Sequence, residues 1–136
     1  MADVDYIDEM AQRHKQLPRP RLCYLEIPAL DVHQSASFYE KVFGWDIRGR
    51  DTSHPSFAYP TADVTGAWVT GRAISRDAGL LAYIWVDDID DSLARIESHG
   101  GGVAQGPHRI SAGDEWIAMF RDPAGNLMGL YQEGPH

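Results

Sequence analysis

Cysteine is nearly absent from this chain of 136 residues, and Cys23 stands alone. A single thiol excludes an internal disulfide framework and points to a reducing, cytoplasmic setting. No apolar run approaches the roughly 20 residues of a membrane-spanning helix, and the first residues lack the apolar centre of a signal peptide. Positive charge is also scarce. Twelve Lys and Arg face 20 Asp and Glu, for a formal charge of −8 and a pI near 5.0. That balance argues against nucleic acid or an anionic membrane surface as partner, because both need a basic face. There is no glycine-rich phosphate loop and no nucleophile–base–orienter set.

What is present is a folding unit used twice. Apolar residues make up 43% of a chain long enough for one compact domain. The stretch from Arg21 to Trp45 reads as strand, turn and amphipathic helix. In the strand Leu22 to Pro28, alternation puts Cys23, Leu25 and Ile27 on one face and Tyr24 and Glu26 on the other. Cys23 is thereby expected as a small core residue. Asp31 stands at an N-cap position with Gln34 at capping-box spacing, and Gly44 is a left-handed stop. The second half repeats the pattern: Asp31, Ala36, Tyr39 and Gly44 recur as Asp88, Leu93, Ile96 and Gly101. Later, Phe57, Pro60, Gly66 and Trp68 recur as Phe120, Pro123, Gly129 and Tyr131, after an insertion in the Gly101–Gly113 region.

In chain order, 1–20 is a short helix or loose arm closed by two prolines. Residues 21–72 form a first β-α-β-β-β module, with a hairpin turning at Pro60–Asp63. A short polar link follows, and 79–135 form the second module. There Ile89–Ser98 is the helix, Val103–Gln105 a small strand, Gly106–Asp114 a long loop, and DPAGN the last hairpin turn. The fold class is α+β.

FYEKVFGW after a strand–Asp–helix start, and RDPAGNLMGLYQ at the end, resemble the vicinal oxygen chelate superfamily, which holds glyoxalase I, extradiol dioxygenases and bleomycin-resistance proteins. The resemblance covers roughly Arg21 to Glu133. It implies two βαβββ modules whose curved mixed sheets form a cup, with helices outside. Enzymatic members hold a divalent metal on the first and fourth strands of each module. Carried over by motif, those four positions are Tyr24, Gly66, Leu81 and Gly129, which offer at most one neutral phenol to a cation. No metal and no cofactor is therefore expected. His54 and His108 read as rim residues in loops, and His33 and His99 as helix residues outside the cup.

The cup face, followed from Tyr24 and Glu26 through the repeat, takes in Gly66, Trp68, Leu81 and Tyr83. It continues through Trp85, Gly129 and Tyr131. Rings, one carboxylate and two bare glycines suit a small aromatic or cationic ligand. The same rings would equally fill the space between modules. Glu26 is the candidate acid or base, and a salt bridge to Arg48, Arg72 or Arg121 is its competing role. Four functions follow: a metal-free binding protein; a metal-independent lyase or isomerase using Glu26; a metal-dependent glyoxalase or dioxygenase, disfavoured by its ligand positions; and a module whose cup is closed by another protein. The family implies a homodimer.

Overall fold

The computed structural model describes residues 17–58 and 64–136. Strand β1 is Tyr24–Pro28, helix α1 Val32–Phe43, β2 Asp46–Arg48, β3 Ser56–Ala58 and β4 Thr65–Val69. The second half gives β5 Tyr83–Trp85, α2 Ile89–Ser98, β6 Gly102–Arg109, β7 Glu115–Arg121 and β8 Leu127–Glu133. Residues 1–16 of the arm expected over 1–20, and the turn at 60–63, lie outside the described residues. No helix among those described is long and apolar enough to cross a membrane.

Both helices start and stop where local chemistry requires. The Asp31 carboxylate accepts the His33 and Gln34 amides at 3.0 and 3.2 Å, and Asp88 accepts that of Asp91 at 3.0 Å. Gly44 ends α1 at φ 72°, and its N–H reaches the Glu40 carbonyl at 2.8 Å. Each module is a four-stranded mixed sheet, in the orders β1-β4-β3-β2 and β5-β8-β7-β6. The first and last strands of each module pair in parallel, and the others are antiparallel. β1 and β5 therefore each end a sheet.

One face of each sheet is covered by helices, and the covered faces share one core. In the first half Tyr39 stacks on Trp45 at 4.7 Å, and Trp45 meets Phe57 at 4.5 Å. Phe38 and Phe43 of α1 reach Phe120 of β7 at 6.2 and 5.7 Å, which joins the halves. A ring of this size stabilises the fold by roughly 1.5–3 kcal/mol on burial.

Two expectations change here. Cys23 is exposed rather than in the core, because β1 begins only at Tyr24 and the helix covers Leu25 and Ile27 beyond it. The segment after Gln105 is strand rather than loop: β6 runs to Arg109, and irregularities between Val103 and Gln105 and between Gln105 and His108 absorb the insertion. His108 accordingly lies on β6.

Candidate functional site on the uncovered sheet faces

In the first sheet, Tyr24 pairs with Thr65, Glu26 with Ala67 and Ile27 with Trp68. Tyr24 and Glu26 thus share with Thr65 and Ala67 the face left uncovered by the described residues. Trp68 shares the covered face with Ile27, is 2% exposed, and packs on Phe57 at 5.1 Å and Tyr39 at 5.7 Å. Trp68 and Gly66 are not cup residues, which corrects the expectation. The cause is the length of one hairpin. Gly66 lies opposite Phe57 as Met128 lies opposite Phe120, so Ala67 rather than Gly66 is the counterpart of Gly129. A shift of one residue in a strand exchanges its two faces.

Gly66 and Gly129 are not open spaces either. A Cβ at Gly66 would lie 2.0 Å from the Leu25 carbonyl oxygen and 2.5 Å from the Phe57 ring. One at Gly129 would lie 2.5 Å from the ring of Tyr83. Each glycine is the floor on which a neighbouring aromatic ring rests, an arrangement that covers otherwise bare backbone.

The uncovered face of the first sheet is polar and charge-compensated. Arg72 from the link pairs with Glu26 at 2.6 Å, and Arg48 pairs with Asp46 at 2.8 Å. Tyr24 stands there 56% exposed. Of the partners considered for Glu26, Arg72 is the one present.

The second sheet is different. Tyr83 pairs with Gly129 and Trp85 with Tyr131, so these four residues share one face as expected. Trp85 is 68% exposed, and its ring meets that of Tyr131 edge to face at 6.0 Å. Leu81 precedes β5 and is half-buried. The Tyr131 hydroxyl donates to Glu115 at 2.5 Å and also faces Glu133 at 3.0 Å, while Ser111 donates to Glu115 at 2.9 Å. The bond to Glu115 holds the phenol above its ordinary ionisation range, with desolvation and Glu133 adding to it. The bonds from Tyr131 and then Ser111 hold Glu115 below the usual carboxylate range. One phenolic proton faces two carboxylates, so a carboxylate oxygen is left as an acceptor without a donor from Tyr131.

Glu115 and Glu133 escaped the reading of the sequence. Alternation along β8 from Gly129 and Tyr131 leads straight to Glu133, and Glu115 lies opposite it in register. Following that strand two residues further would have found both. Beside this face, a cleft of about 670 Å³ runs along the free edge of β5, bounded by Val42, Phe43 and Trp45 from the end of α1 and by Asp88 and Arg95 of α2. Tyr83 and Trp85 line it too.

For a metal, the donor chemistry fails whichever hairpin alignment is used. Tyr24, Ala67 or Gly66, Leu81 and Gly129 provide no carboxylate, imidazole or thiolate, and a neutral phenol is a poor ligand. Among the described residues no three His, Cys, Asp or Glu are grouped to hold an ion.

Comparison with known proteins places this architecture. The family model for the Glyoxalase/Bleomycin resistance protein/Dioxygenase superfamily matches residues 21–130. A lactoylglutathione lyase from Escherichia coli O157:H7 is 25% identical over 130 residues, covering 83% of this chain and 93% of that protein. TnmS3, an antibiotic binding protein from Streptomyces sp. CB03234, superposes with a TM-score of 0.61 at 26% identity, covering 88% of this chain and all of its own. A family enzyme from Burkholderia phytofirmans PsJN reaches a TM-score of 0.68 at 16% identity over 85% of this chain and 100% of that chain, a likeness of fold alone. With the family model spanning both modules and the strand order repeated in each, this chain belongs to the glyoxalase/bleomycin resistance/dioxygenase superfamily.

Proposed function

We propose that the chain is a binding protein for a small, flat cation, held against the uncovered face of the second sheet. The observation that carries this is Trp85, a large ring left 68% exposed beside Tyr131 and its two carboxylates. A ring face attracts a cation, and a carboxylate short of a donor accepts an ammonium or amidinium proton. Tyr83, at 45% exposure, extends the apolar platform toward the cleft along β5. Leu81 borders the same strand. The antibiotic-binding relative supports a sequestering role over turnover. The acid–base reading of Glu26 is weakened by its ion pair with Arg72 and by its place on the other sheet.

The test is calorimetric titration with ethidium, a flat aromatic cation, against neutral phenanthridine of similar outline. Ethidium is expected to bind, and Trp85→Ala or Glu133→Gln to weaken it about five- to tenfold, the scale of one cation–π contact or one charge-assisted bond. Equal binding of the neutral compound, or no effect of either substitution, removes the reading. Turnover of a candidate substrate that disappears in Glu26→Gln would replace it with lyase or isomerase chemistry.

A homodimer is part of this reading. Tyr24 on β1 and Tyr83 and Trp85 on β5, with Leu22 and Leu80 beside them, are large apolar side chains exposed along the two sheet-ending strands. Unpaired strand edges carrying such residues invite a partner of the same kind.

A further inference from the structure

We infer that Asn126 is a positioning residue for the Glu26–Arg72 ion pair, acting on both partners at once from the turn between β7 and β8. Glu26 sits on β1 two residues before Pro28, and the Asn126 Nδ2 donates to the Pro28 carbonyl at 2.6 Å. Arg72 sits in the link three residues before Ser75, and the Ser75 amide donates to Asn126 Oδ1 at 2.8 Å. One buried amide side chain therefore grips the two backbone segments that carry the two halves of the pair.

The grip is itself held from behind. Asn126 also donates to Asp122 Oδ2 at 2.9 Å. The same oxygen receives the Tyr39 hydroxyl from α1 at 2.9 Å. The other carboxylate oxygen, Oδ1, accepts the amides of Ala124, Gly125 and Asn126 at 3.0, 3.1 and 3.0 Å. Asp122 and Asn126 are both almost fully buried, so the amide is fixed in one orientation by partners that all come from the protein. The link gains two further ties to the same hairpin: Leu127 N–H to the Ser75 carbonyl at 2.8 Å, and Arg121 Nη1 to the Arg76 carbonyl at 2.8 Å.

The consequence concerns charge. Glu26 and Arg72 lie on an exposed sheet face, where an ion pair between mobile side chains contributes little because ordering them opposes the attraction. Clamping both backbones leaves that side-chain cost in place but fixes the spacing of the two Cα positions, so the pair re-forms whenever the side chains meet. Glu26 is kept neutralised by geometry set in the other module. This inference does not depend on any ligand.

The experiment observes the Arg72 side chain directly. The Nε–Hε group of Arg72 is followed by ¹⁵N relaxation in the full chain, alongside Glu26→Gln as the released reference. Asn126→Ser is expected to raise Arg72 mobility to the level of Glu26→Gln while the amides of β7 and β8 keep their dispersion. Ser75→Pro, which deletes the link's donor to Asn126 while keeping the Ser75 carbonyl that accepts Leu127 N–H, is expected to do the same and covers the case where Asn126→Ser does not fold. Restricted Arg72 motion persisting in either folded variant overturns the inference. A loss of thermal stability alone, with Arg72 still held, counts equally against it, since that is what a purely structural asparagine would show.

Discussion

At the scale of single residues, burial separates side chains that look alike in the sequence. Trp68 and Trp85 both fall on the cup face expected from the repeat, yet one is core and the other stands in solvent. Trp68→Ala is expected to cost about 3–5 kcal/mol in chemical unfolding, as for other buried aromatics. Trp85→Ala is expected to change stability by less than about 0.5 kcal/mol, the usual range for surface sites, while weakening the ligand. Similar losses from both would mean that the faces are wrongly assigned. Tyr131 offers a second test. Its bond to Glu115 raises it above the ordinary value of 10.0, so the stabilisation it gives is complete below pH 10 and is lost as pH rises through the higher folded value. Tyrosinate absorbance should show one tyrosine lagging the rest in alkaline titration, and Glu115→Gln should bring it part of the way back, with desolvation and Glu133 still acting. Glu115 is lowered from 4.5, so its contribution is complete above that value and is lost as pH falls through the lower folded value.

At the scale of elements, what the sequence made legible was whatever local chemistry determines. Helix α2 runs over Ile89–Ser98 as expected, because Asp88 caps it and glycines follow it. Asp88→Ala is expected to cost about 1 kcal/mol, the usual value for a lost cap, read as a lowered urea midpoint. β6 was not legible, since Gly106 and Pro107 look like loop residues and lie in an irregularity, and only the pairing of Gln105, His108 and Arg109 with β7 on either side carries the strand through them. The face of β4 was not legible for a different reason. Gly66 and Trp68 match Gly129 and Tyr131 by residue type, but ladder register depends on the length of the preceding turn. The glycines now predict opposite outcomes. Gly66→Ala drives a Cβ onto the Leu25 backbone oxygen, which cannot yield, and should cost more than about 4 kcal/mol. Gly129→Ala meets only the half-exposed Tyr83 ring, which can swing out, and should cost about 1 kcal/mol while displacing that ring from the binding face.

At the scale of the molecule, the duplicated architecture was legible because order and phase recur together, and both sheets show the same strand sequence. The two uncovered faces were not legible as different. One is ion-paired and the other is ringed and acidic, a contrast set by which residues Arg72 and Tyr131 reach. Association should follow the exposed strands that end each sheet. Light scattering is expected to give twice the chain mass, and Tyr24→Lys with Leu80→Lys to give the single-chain mass, since charge at a sheet edge opposes pairing; a monomeric parent protein would end the dimer reading. The ring of Tyr83 resting on Gly129 carries one more consequence. The family resemblance makes position 129 one of the four ligand positions of metal-holding members, and here any side chain at it would meet that ring. An acid installed there must therefore swing Tyr83 off its floor, so an ion ligand at 129 and the aromatic platform exclude each other.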